Sequence, residues 1–137
     1  QKRYFIKKGE WRMREIKFRA WDEMEKRMIG WQDRVFTKNN NSSLLCEYAL
    51  KNISESYVKY MQYTGLNDKN GKEIYEGDII KSEDGIVSRI VYDEASFKSV
   101  WIHNDHLVNC ILDNLFIKTL NPIVVGNIYE HPELIKN

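Results

Sequence analysis

The sequence predicts a mainly β fold with little helix: a small barrel or sandwich preceded by an N-terminal β-hairpin. Three observations point there. Six or seven short segments rich in β-branched and aromatic residues recur along the chain. Turn dipeptides such as Asn70-Gly71 and Asp84-Gly85 separate them at close intervals. The 137 residues, 42% hydrophobic and 30% charged, match one soluble domain with little room for a second core. A chain of this length needs no disulfide or metal staple. Strands spaced this closely leave no room for the crossover helices of a parallel α/β sheet.

Taken in order, Glu15 to Trp21 alternates strictly and reads as a half-buried strand. Ile16, Phe18 and Ala20 share one face; Lys17, Arg19 and Trp21 share the other. Asp22 to Lys26 is a charged turn, and Arg27 to Trp31 returns as its hairpin partner. Residues 32–43 end in a polar Asn-Ser loop. In residues 44–53, Leu45, Ala49 and Ile53 sit four apart behind a capping Ser43, which favours a helix over a strand.

Tyr57 to Thr64 is a strand, followed by the tight turn at Asn70-Gly71. Glu73-Ile74-Tyr75 and Ile79-Ile80-Lys81 flank Gly77, where a bend or bulge with close backbone approach is expected. Ile86 to Tyr92 and Phe97 to His103 are two more strands around the turn Asp93 to Ser96. Residues 104–118 read as a short helix or a strand, and Ile123 to Tyr129 as the last strand. Pro132 stands near the start of a terminal helical turn.

Three blocks carry a family resemblance: Met13 to Ile29 (MREIKFRAWDEMEKRMI), Met61 to Ile80 (MQYTGLNDKNGKEIYEGDII) and Val125 to Ile135 (VGNIYEHPELI). In content and order they resemble the YopX family of phage and prophage proteins. The resemblance spans 13–137 and implies an SH3-like β-barrel in the part of the chain from Tyr63-Thr64-Gly65-Leu66 onward. It further implies a bacterial cytoplasmic or phage setting, self-assembly, and no known enzymatic activity, so no family catalytic residue is carried over. The division expected is a leader at 1–12, a hairpin and variable region at 13–62, and the barrel at 63–137.

Residues 1–12 carry Lys2, Arg3, Lys7, Lys8 and Arg12 against Glu10. Lys8-Gly9-Glu10 can be encoded by a purine-rich ribosome-binding run ahead of Met13. The leader therefore reads either as translated upstream sequence before a start at Met13 or as a basic N-terminal arm. The rest of the chain sums to −3. An acidic body weakens a nucleic-acid reading, which asks for a basic face on the fold. Arg14, Lys17, Arg19, Lys26 and Arg27 keep that reading open as the alternative. No apolar run approaches the ~20 residues of a bilayer span, so no membrane contact is expected.

The candidate chemistry is sparse. His103, His106 and Cys110 are spaced for one helix face, where they would make a three-ligand metal site. A preceding strand and Asn104-Asp105 argue against that helix, so no metal or cofactor is predicted. The Asp68 to Gly71 turn fails as a calcium loop, because Leu66 and Gly77 stand where carboxylates are required. Cys46 has Glu47 beside it, a charge that disfavours a thiolate. Glu73, Glu76 and Asp78 read as solvated turn charges rather than an acid–base pair. The aromatics are numerous, and core packing accounts for most of them. Trp21 is the exception, placed with Lys17 and Arg19 on a face that meets a partner, another subunit or the second half of the fold. The expectation is a non-enzymatic accessory protein working through protein contacts and self-association.

Overall fold

The computed structural model describes residues 15–32 and 57–135. The 1–12 leader, Met13, the expected helix at 44–53 and Cys46 lie outside the described residues. Within them the chain is mainly β, in two antiparallel sheets. The first sheet has four strands: β1 (Phe18–Asp22), β2 (Arg27–Ile29), β3 (Val58–Asn67) and β4 (Glu73–Tyr75), in the order β2-β1-β3-β4. The second has five: β5 (Asp78–Lys81), β6 (Val87–Asp93), β7 (Ser96–His103), β8 (His106–Ile111) and β9 (Ile123–Asn127), in the order β8-β7-β6-β5-β9. It curls into a half-barrel.

Turn chemistry sets the path. Gly71, Gly77 and Gly85 all take positive φ, at +83°, +81° and +94°. Gly77 turns the chain from β4 into β5, and a Cβ there would meet Met61 Sδ at 3.0 Å. The expected close approach is thus a side-chain contact as well as a backbone requirement. Two hairpins close without glycine: Glu94-Ala95 and Asn104-Asp105 all have positive φ, the geometry of a two-residue primed turn.

Residues 104–118 contain both structures that the sequence left open. β8 comes first; α1 (Asn114–Leu120) follows, with Asp113 capping it by accepting from Phe116 N at 2.8 Å. α1 ends on Asn121 in the left-handed region, and its Phe116 plugs the half-barrel. The main core is Ile74, Ile80, Ile90, Leu112 and Phe116. A second cluster, Ala20, Ile29 and Val58, lies under the N-terminal hairpin with Trp31, Tyr57 and Tyr60 against it. The final strand stops at Asn127, earlier than the expected Tyr129, because Asn127 Oδ1 caps Tyr129 N and Glu130 N and turns the chain. A 3-10 turn at Pro132–Ile135 follows.

β3 serves both halves of the chain. Its residues 58–62 pair with β1, and Tyr63 and Asn67 pair with β4.

Candidate protein-contact surface

The Lys17, Arg19 and Trp21 face of β1 packs against the C-terminal part of the chain. Trp21 stacks on Tyr129 with ring centroids 5.8 Å apart and planes 14° from parallel. Arg19 Nη2 donates to Asp78 Oδ1 at 2.7 Å and to the Glu76 carbonyl at 3.2 Å, with its guanidinium over the Tyr75 ring. Lys17 bridges Glu15 and Glu73 and lies over the Tyr63 ring. Those two carboxylates hold its ammonium well above the usual lysine range, Glu15 first. Of the three destinations open to the Trp21 face, the structure selects the second half of the fold.

This face corrects one expectation. Asp78 is not a solvated turn charge: it is buried, and its second oxygen accepts from Tyr75 N at 2.8 Å. Burial pushes its carboxyl above the usual aspartate range, against the pull of Arg19. Glu76 accepts from Gln62 N at 2.9 Å, and Glu73 is held by Lys17. All three carboxylates act as ties between β-elements. A polar cleft of about 250 Å³ opens beside them, lined in part by Arg19, Lys72, Asp78 and His131. Two of its polar side chains are engaged within the chain: Arg19 by Asp78, and His131 Nδ1 by Asn127 N at 3.2 Å.

The other sequence candidates separate in space or take on structural work. His103 and His106 face each other across the Asn104-Asp105 turn, and Cys110 lies four residues further along a strand. A strand rises about 3.3 Å per residue, so Cys110 stands roughly 13 Å from His106. Among the described residues no three His, Cys, Asp or Glu side chains converge as a metal set. Asp68 is buried: Oδ1 accepts from Asn70 N and Lys72 N at 2.8 and 2.9 Å, and Oδ2 from Val124 N at 2.9 Å. Its carboxylate closes the hairpin turn and fastens it to the start of β9.

Among the described residues, the outer face of the half-barrel is open to solvent. Cross-strand rows Arg89-Val100-Asn109 and Val91-Lys98-Ile111 run over β6, β7 and β8, with the pair Ile102-Leu107 beside them on β7 and β8. With Leu134 and Ile135 of the terminal turn they flank a groove of about 600 Å³. Leu107 is 67% exposed, Ile111 57% and Ile102 44%. Contiguous exposed apolar side chains of this kind mark contact surfaces. Arg89 forms no ion pair among the described residues and sets one positive charge in the groove wall. Sequence reasoning missed this groove. The signal was there: β6 and β7 carry apolar residues on both parities (Ile90 with Val91, and Val100 with Trp101 and Ile102), so both sheet faces are apolar.

A family model described as YopX protein matches residues 17–136. The chain belongs to the YopX family. The match covers both sheets, so in this YopX protein the β1 clamp and the groove lie within the family region. A solved structure, the crystal structure of protein EF1440 from Enterococcus faecalis, is 27% identical to it. The similarity covers 90% of this chain and all of EF1440, with a TM-score of 0.50. No curated protein matches this chain.

Proposed function

We propose that this YopX protein is a non-enzymatic accessory protein of a prophage, acting in the bacterial cytoplasm through protein–protein contacts and self-association. The observation that carries the reading is the exposed apolar groove beside the outermost strand, β8. Family membership supports the setting. The acidic side chains at β4 and β5 support it indirectly, since their oxygens are engaged in ties between elements.

The alternative is a nucleic-acid-binding module. Its basic residues are largely engaged inside the chain: Lys17 with Glu73, Arg19 with Asp78, Lys26 with Glu23 and Arg27 with Glu25. Neutralised in this way they offer a phosphate backbone little net charge. Affinity purification of the tagged protein from its host, with and without nuclease, tests the two readings together. A protein retained after nuclease by the wild type and lost from Ile102→Glu supports contact through the groove. Partners that vanish with nuclease, with binding that falls steeply as salt rises, overturn it in favour of nucleic acid.

A further inference from the structure

We propose that two copies of this chain pair β8 to β8 across a two-fold axis, joining their half-barrels into one continuous sheet. The proposal rests on the self-association reading above and specifies its surface and register. It begins from a contrast between the two edges of the same sheet. The β9 edge is capped: Asp68 Oδ2 accepts from Val124 N, and His131 Nδ1 accepts from Asn127 N. The β8 edge pairs with β7 alone, and no described residue covers its outer side.

The composition of β8 selects a second copy as the occupant. Edge strands in monomers are blunted by lysine, proline, bulges or inward charges. His106–Ile111 contains no Lys, Arg, Asp, Glu or Pro, and its register against β7 is unbroken. A two-fold sets a strand against its own sequence, so a charged edge would repel itself; this one does not.

The register follows from the ladder. Leu112 N donates to the Phe97 carbonyl at 2.9 Å, which fixes the phase of the β7–β8 hydrogen bonds. Bonded and non-bonded pairs alternate, so Leu107, Asn109 and Ile111 turn their backbone groups outward. Only a two-fold through Asn109 pairs all three with their counterparts. It sets Leu107 against the other copy's Ile111, apolar on apolar, and the two Asn109 amides against each other. Asp105 and Asp113 fall just outside the strand at its two ends, so added salt screens them and tightens the dimer.

Two variants and one crosslink test this, with sedimentation velocity over a concentration series. The wild type is expected to be a dimer that salt strengthens. Asn109→Lys and Ile111→Lys, both at exposed positions, are expected to give monomers that keep the wild-type circular dichroism and melt cooperatively at a temperature independent of protein concentration. In a Cys46→Ser, Cys110→Ser background, Asn109→Cys is expected to oxidise to a covalent dimer, because directly opposed strand residues lie about 5 Å apart, within disulfide reach. A monomeric wild type overturns the pairing, and the affinity experiment then judges the contact reading separately. A wild-type dimer that survives both lysine variants, or one that leaves Asn109→Cys uncrosslinked, also overturns it.

Discussion

Arg19 and Asp78 stand 59 residues apart in the chain and meet at 2.7 Å, with side chains only 13% and 2% exposed. The pair fastens β1 to the first residue of β5 and so ties the N-terminal sheet to the half-barrel. Removing one partner of a buried ion pair leaves the other charge uncompensated. Arg19→Met is therefore expected to cost about 3–5 kcal/mol at neutral pH. Burial already lifts the Asp78 carboxyl above its unfolded value, so the folded chain holds that proton more tightly. Stability from this group falls as pH rises through the folded value and is recovered as pH drops. The gap between Arg19→Met and wild type is expected to narrow on acidification, since Asp78 then becomes neutral. Urea titrations at several pH values check it; a constant gap contradicts the account.

Trp21 is the second tie. Its ring is buried on Tyr129, and its Nε1 donates to Glu23 at 2.5 Å. Trp21→Ala is expected to lose about 3–5 kcal/mol, and Trp21→Phe distinctly less because the stack survives. Thermal melts of both variants give the comparison.

Gly126 marks a contact rather than a turn. A Cβ at this position would lie 2.7 Å from His131 Nδ1 and 3.0 Å from its Cβ. Gly126→Ala is expected to destabilise by about 1–3 kcal/mol through overpacking. In a His131→Ala background the cost is expected to shrink, because the ring atoms at 2.7 and 2.8 Å are gone while the residue 131 Cβ stays 3.0 Å away. A double-mutant cycle measures the coupling, and additive effects would contradict it.

Asp68 holds three backbone N–H groups, one of them on β9. Asp68→Ala leaves those donors orphaned, at about 1–3 kcal/mol for each one that stays buried. It also uncaps the second edge of the five-stranded sheet. Light scattering is expected to show this variant associating to a higher order than the wild type.

Tyr75 has its phenol pushed up to about 12, first by burial and then by the Glu73 carboxylate beside it. Burial likewise raises Tyr63 and Tyr129. The folded chain keeps these protons longer than the unfolded chain, so stability falls as pH climbs from about 10, the ordinary tyrosine value, toward 12. Tyrosinate absorbance is expected to rise in more than one phase, with Tyr63, Tyr75 and Tyr129 ionising late. A single phase near the ordinary value would contradict the buried placement.

The strands were legible because their signals are local. Alternation at Glu15 to Trp21, the Asn70-Gly71 and Asp84-Gly85 turns and the break at Gly77 each act within a few residues. The turns at Glu94-Ala95 and Asn104-Asp105 carry weaker signals. Pairing of β6, β7 and β8 forces their left-handed geometry rather than any glycine. Asp78 was misjudged for a related reason: as a charged residue beside a glycine turn it reads as solvated, and its partner lies 59 residues away.

By itself, then, the sequence determined the β-character, the hairpin turns and the family, since each rests on residues near one another in the chain. Only the tertiary structure decided where the faces went. It turned Lys17, Arg19 and Trp21 inward onto Glu73, Asp78 and Tyr129, capped β9 with Asp68 and His131, and left β8 uncovered by any described residue. Alternation says that a strand has two faces; which of them meets solvent depends on what the rest of the chain brings against it.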